Sequence, residues 1–326
     1  MRDLVLVFAD LFNVEWLDEG PVRGLGCWRF EPARPIGGGW RGMLARGIGR
    51  PELEWVEPAS LVSAAQPLGP ASEPWLATPM HWQAGLTTVH VAGDARLRLS
   101  SAEALQWCDA FAADFGAQGL ILQPAGTAGF LLSGLEASGA QTLEPTQLCR
   151  LPLAEAQPRG PGSSRLRGLM SEIELWLHEA EPNRARRARG ERAVSSLWLW
   201  GGGAPPGEPP QPSAAVSRWP ALFGEEATLR ALARLSCCEV LPMAAIDTLL
   251  AADAESGCAV IEADGGAVAD LTRDYVSIAL EALTQHRLDR LTLVAQDRAV
   301  RAQRTDRWRT WRPRRRWTEA LGLEAA

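Results

Sequence analysis

LVLVFA, residues 4–9, is an uninterrupted apolar run close to the start of the chain. A strand with one face in water alternates apolar and polar side chains. A run without alternation suits a strand covered on both faces, as in a parallel sheet. Late in the chain, residues 272–286 read as a helix with Tyr275, Ile278, Ala279, Ala282 and Leu283 on one side. A strand at 291–295 follows, with 299–302 as its partner. Before these, 225–235 reads as a helix and 260–261 as a short strand. This helix–strand succession predicts an α/β fold with a mixed or mostly parallel central sheet and flanking helices.

The middle of the chain reads less uniformly. A helix is expected around 40–47, after the loop glycines Gly37, Gly38 and Gly39, and a strand over 86–93. Residues 100–115 read as a helix with Ser100 as N-cap and Leu105, Cys108 and Phe111 on its apolar side. A hairpin is expected over 119–134. Leu166, Leu169, Met170, Ile173, Trp176 and Leu177 form one face of a further helix. Pro182 interrupts it and begins a short basic helix, 183–189, that Gly190 can end. Residues 194–200 then form a strand. We read 1–326 as a single α/β domain, with a linker at 157–164 and a proline-rich loop at 204–213.

Composition bounds the function. The chain has 326 residues, 46% of them hydrophobic, enough for a sizeable core. Its 33 basic residues are all arginine, so an anion site must use Arg, His, backbone N–H or a metal. The net charge of -6 argues against broad nucleic-acid binding, although arginines cluster at 184–192 and 298–316. The six cysteines form no C-x-x-C pair and suit buried thiols in a reducing cytosol. No apolar stretch is long enough to span a membrane, so the expected location is the cytoplasm.

Candidate chemistry is sparse. The four histidines, His81, His90, His178 and His286, make no H-E-x-x-H motif. Asp10 follows the first strand, where α/β proteins place ligand groups, but a helix-cap or loop role is the favoured reading; Asp297, beyond the late strand, has the same two readings. Asp264 and Asp270 flank a glycine-rich turn. Neither a P-loop nor a nucleophile elbow is present. Gly201, Gly202 and Gly203 follow the strand SLWLW and could form an anion nest. Asn183, Arg184 and Arg187 could face the same anion. A solvated basic helix covering the tryptophan-rich strand fits those residues as well. In the tail DRWRTWRPRRRW, arginines and indoles could bind single-stranded nucleic acid. The favoured reading is that Trp308, Trp311 and Trp317 anchor the tail by packing.

The segment LMSEIELWLHEAEPNRARRARGERAVSSLWLWGGG, residues 169–203, resembles the central signature of the bacterial RpfE-type regulatory proteins. More remotely it resembles the archaeal-type cofactor-independent phosphoglycerate mutases of the alkaline-phosphatase-like group. Weaker correspondences lie at TPMH (78–81), at WPALFGEEATLRALA and in the tail. His178, Glu179, Asn183, Arg184, Arg187, Gly190 and the run from Trp198 to Gly203 match. Ala180 stands where the signature has a second histidine, Glu181-Pro182 where it has Pro-Val, Ser195 where asparagine is usual and Thr78 where aspartate is usual. The resemblance implies a degenerate alkaline-phosphatase-like fold. It implies a phosphorylated or carboxylated small ligand at Asn183, Arg184, Arg187 and Gly201–Gly203, with Asp10, His81 and Asp297 as an ancestral site. A non-catalytic regulatory or anion-binding protein without a cofactor is expected. A metal-dependent phosphomutase or phosphatase needing a divalent ion, or a protein-interaction module, are the alternatives. A protein partner fits that last reading; nucleic acid and membrane are disfavoured partners.

Overall fold

The computed structural model describes residues 3–11, 27–66, 73–84, 89–90, 95–150, 152–203, 210–243, 246–251, 255–262 and 268–323. The fold is mixed α/β. The chain packs into two compact units, Met1–Trp55 with Pro212–Ala326, and Val56–Gln211. The second passage between them, Gln211–Pro212, falls within the proline-rich loop expected from the sequence, of which 204–209 lie outside the described residues.

The first unit opens with β1 (Asp3–Phe8), whose residues from Leu4 onward are all buried. Two short strands, β2 (Cys27–Trp28) and β3 (Arg34–Pro35), lead to α1 (Gly39–Ile48). The N-terminal turn of α1 is tied down where the Trp40 N–H donates to the Gln296 carbonyl, 3.0 Å.

The second unit contains α2 (Pro58–Ala64), β4 (Trp75–Met80), the pair β5 (Gln83–Ala84) and β6 (Val89–His90), and α3 (Ser101–Phe115). It continues through β7 (Ile121–Pro124), β8 (Phe130–Ser133), α4 (Ser163–Glu179), α5 (Glu181–Ala188) and β9 (Ser196–Trp200). Its sheet is antiparallel in the order β7-β8-β4-β9. All six residues of β4 are buried although one is Pro79. A proline cannot donate to a ladder, and here none is needed on the β8 side, whose pairing stops at Ala77 opposite Phe130. Ser100 caps α3 in a full capping box with Glu103. The buried face of α3 is Ala104, Trp107, Phe111 and Phe115, not the expected Leu105–Cys108–Phe111 stripe; Leu105 is exposed. The aromatic Trp107, paired edge-on with Trp176, takes the inward position, which turns the helix by one residue. The 157–164 stretch is a turn-rich lead into α4 inside this unit. Of the strand expected at 86–93, only Val89–His90 is described.

Returning to the first unit, the chain forms β10 (Ala221–Phe223), α6 (Ala227–Leu235), α7 (Ile246–Ala251) and β11 (Ser256–Ile261). Then follow α8 (Val268–Leu271), a π-helical turn at Thr272–Val276, α9 (Ser277–Thr284), β12 (Arg290–Ala295), β13 (Arg298–Gln303), β14 (Arg315–Arg316) and α10 (Trp317–Leu321). The six-stranded sheet runs β10-β11-β1-β12-β13-β3. β10, β11, β1 and β12 are parallel, and β13 and β3 add an antiparallel edge. β1 is central, with Phe8 opposite Ile261 on one side and Ala295 on the other. Apolar side chains of β1, β11, β12, α9 and α10 share one core. Of the tail indoles, only Trp317 packs as expected. Trp308 and Trp311 are 70% and 76% exposed. The backbone between them is held by bonds within its own loop and by Arg29 on the Thr310 carbonyl, so packing of the rings is not what anchors it. No described helix is long and apolar enough to cross a membrane.

Candidate functional site

The first cluster lies at the N-terminal end of β9. Ala180 leaves α4 with φ -58° and ψ 135° and serves as the N-cap of α5, with Pro182 in the first turn. This break turns Asn183 inward, where it is 0% exposed. Its Nδ2 donates to the carbonyls of Leu177 (2.6 Å) and Val194 (2.8 Å), and its Oδ1 accepts from the Val194 N–H (2.8 Å). The amide therefore clamps the end of α4 to the approach to β9. His81, just past β4, meets the same segment: its Nδ1 lies 2.8 Å from the Ala193 carbonyl and 3.5 Å from Ser195 Oγ.

Arg184 and Arg187 stand outside this clamp, both exposed, and brace the C-terminal carbonyls of α4. Arg184 donates through Nε (3.0 Å) and Nη2 (2.8 Å) to the Glu179 carbonyl, and Arg187 through Nη1 to that of His178 (3.1 Å). Cations there complement the negative end of the helix dipole. Arg184 has a loose ion pair with exposed Glu181 (3.6 Å), and Arg187 has no carboxylate partner among the described residues. Arg186 differs from both. It is buried, donating to the Arg192 carbonyl (2.8 Å) and to Glu103 of α3 (2.8 Å). Arg189 joins the same Glu103 (2.9 Å) and pairs with Glu191.

Gly201, Gly202 and Gly203 lie at the other end of β9. Five strand residues separate the two ends by about 16 Å. The strand holds Asn183 and the glycines apart, so they do not surround one small anion. The glycines have a packing reason instead. A Cβ on Gly202 would fall 2.3 Å from the Pro74 carbonyl oxygen, and one on Gly203 2.3 Å from that of Ala140. The Gly201 and Gly203 carbonyls accept from Ala59 and Gly139, both at 2.8 Å.

The second cluster is the carboxyl edge of the parallel strands in the first unit, where open α/β sheets bind ligands. Asp10 lies two residues past β1, and Asp297 two past β12, where its carbonyl accepts from Ile36 (2.6 Å). Glu226, after β10, caps α6: its carboxylate accepts from the Leu229 N–H (2.8 Å) and the Thr228 hydroxyl (3.0 Å). Arg41 of α1 reaches Thr228 Oγ1 (3.3 Å). Burial pushes the Glu226 carboxyl up to about 7, against the pull of Arg41 and with a further push from Glu262 beside it. His81 belongs to the other unit from Asp10 and Asp297. No three His, Cys, Asp or Glu side chains among the described residues are grouped to hold a metal.

No family model and no curated protein matches the sequence. Among solved structures, the chain is similar to the cofactor-independent phosphoglycerate mutase from Thermoplasma acidophilum DSM 1728, at 14% identity and TM-score 0.34, covering 92% of this chain and 89% of that one. It is also similar to the PH0037 protein from Pyrococcus horikoshii, at 12% identity and TM-score 0.38, covering 93% and 87%. Likeness this remote assigns no residue a role here.

Roles must come from the contacts themselves. Thr78, where the signature has aspartate, is buried; its hydroxyl donates to the Ala128 carbonyl and accepts from Trp200 Nε1, both 2.9 Å. A carboxylate at 78 would be a buried charge. Sequence reasoning missed Arg186 and Glu226. Arg186 has no local signal, because its partner is 83 residues away. Glu226 had none either, because a helix read from 225 places it in the first turn, where a glutamate is ordinary.

Proposed function

We propose that this protein is a non-catalytic, regulatory binder of a small phosphorylated or carboxylated anion, related to the phosphoglycerate mutases. The observation that carries the reading is the Arg184–Arg187 pair. The two guanidinium groups are one helical turn apart, exposed, and each is oriented by a helix-terminal carbonyl. Arginine fixed along one edge keeps further N–H groups for a planar or tetrahedral anion. Asn183 supports this site by fixing the α4–α5 break, without touching the ligand. The relation to the mutases and the RpfE-type regulatory assignment rest on the 169–203 signature. The metallomutase alternative has no converging donor set among the described residues to support it.

Calorimetry with 3-phosphoglycerate and sulfate tests the reading. The wild-type chain should bind, and R187A should bind roughly 10- to 100-fold more weakly, the usual worth of a charge-assisted hydrogen bond. R187K should fall between them, because lysine keeps the charge and loses the fork. No wild-type binding, or equal binding by R187A, removes the anion site.

A further inference from the structure

We infer that the loop at residues 304–316 is a binding surface for single-stranded nucleic acid. The loop holds seven arginines and one acidic residue, Asp306, in a chain of net charge -6. Asp306 is fully buried and is the keystone of the loop. It accepts from the Gln303 N–H (2.8 Å) and pairs with Arg312 (3.0 Å) and Arg309 (3.3 Å). Arg29 braces the loop further through the carbonyls of Thr310 and Arg312. The one acid is thus withdrawn and neutralised, while the loop is held from beneath.

This frame displays Trp308 and Trp311 to solvent. Large exposed indoles on a fixed loop supply stacking faces at little ordering cost. Arg307 lies over the Trp308 ring, 4.8 Å from its centroid. Arg307, Arg314 and Arg315 have no carboxylate partner among the described residues. Indoles for bases beside arginines for phosphates is the chemistry of single-strand recognition. A duplex hides its base faces and fits less well. A membrane surface fits less well too, because the exposed large apolar side chains of residues 304–316 are the indoles Trp308 and Trp311, and the stretch contains no Leu, Ile, Val or Met. The acidic remainder of the chain does not defeat the patch, since fields of exposed charges decay over about 8 Å at physiological salt.

Fluorescence anisotropy of the full chain with a labelled oligothymidylate of roughly 12 nucleotides, within the usual single-strand site size, tests this. The expected result is salt-sensitive binding, weaker for a duplex of equal length and absent for anionic phospholipid vesicles. W308A/W311A should bind about tenfold or more weakly, with an unchanged salt slope. R307Q/R314Q/R315Q should flatten that slope by about 0.7 for each phosphate that is no longer neutralised. Circular dichroism of both variants checks that they fold, which the exposure of all five side chains leads us to expect. The inference is overturned if the wild-type chain binds no oligonucleotide, if W308A/W311A binds as the wild type does, or if vesicles bind while oligonucleotide does not. None of these variants touches Arg184 or Arg187, so this result and that for the small-anion site are separable.

Discussion

Two buried polar side chains, Asn183 and Glu226, serve different ends. Asn183 uses both amide hydrogens and its oxygen on backbone groups of Leu177 and Val194. N183A would leave those groups buried without partners, at about 1–3 kcal/mol for each that water cannot reach. We expect a loss of roughly 3 kcal/mol in urea unfolding, with N183D at pH 7 at least as damaging because it buries a charge. Glu226 has the opposite chemistry. Its carboxyl is raised from the ordinary 4.5 to about 7, first by burial. The folded state then holds the proton more tightly than the unfolded state. The associated stability is complete below about 4.5 and is lost as pH rises through about 7, by an amount on the order of 3 kcal/mol. E226Q keeps an oxygen for the Leu229 N–H but cannot titrate. Its melting temperature should therefore be flatter between pH 5 and 7.5 than that of the wild type. An equal slope in both proteins would show that the pH dependence lies elsewhere.

At the scale of elements, α3 and α5 are joined through a single carboxylate. Glu103 closes the capping box of α3 and also accepts from Arg186 and Arg189 of the basic segment. S100A removes only the cap and should cost about 1 kcal/mol. E103A also leaves Arg186 buried with less compensation, and should cost at least twice that by chemical denaturation. Local signals made much of this region legible. Ser100 and Glu103 announced the helix start, Pro182 the break, and two short apolar stretches around a turn at 119–134 the hairpin. The link between Glu103 and Arg186 was not legible, because a contact across 83 residues leaves no trace in either neighbourhood. The face of α3 was misread for a related reason. Leu105, Cys108 and Phe111 have helical spacing, but the partner Trp176 favours Trp107 inward. In the same way, DRWRTWRPRRRW suggested packed indoles because a sequence does not reveal that Asp306 is buried beneath the loop.

Across the whole molecule, the α/β class was legible because its strands are strongly apolar and its helices periodic. The order of the sheet was not. LVLVFA announces a covered strand, but nothing in those residues specifies partners at Ser256–Ile261 and Arg290–Ala295. The candidate site was legible in part. Arg184 and Arg187 share a face of α5, while Gly201–Gly203, adjacent in the signature, are separated from Asn183 by the full length of β9. The second unit, Val56–Gln211, is continuous in sequence and carries its own four-stranded sheet. Expressed alone, residues 56–211 should give a cooperative thermal melt by far-ultraviolet circular dichroism; a featureless melt would contradict that independence. The central placement of β1 has a consequence for synthesis. Both flanking strands lie more than two hundred residues downstream, β11 starting at Ser256. At ~5–20 residues per second, β1 waits roughly 12–50 s for the first of these neighbours to be synthesised. During that interval β1 is an unpaired apolar strand, exposed to aggregation until β11 and β12 have been made.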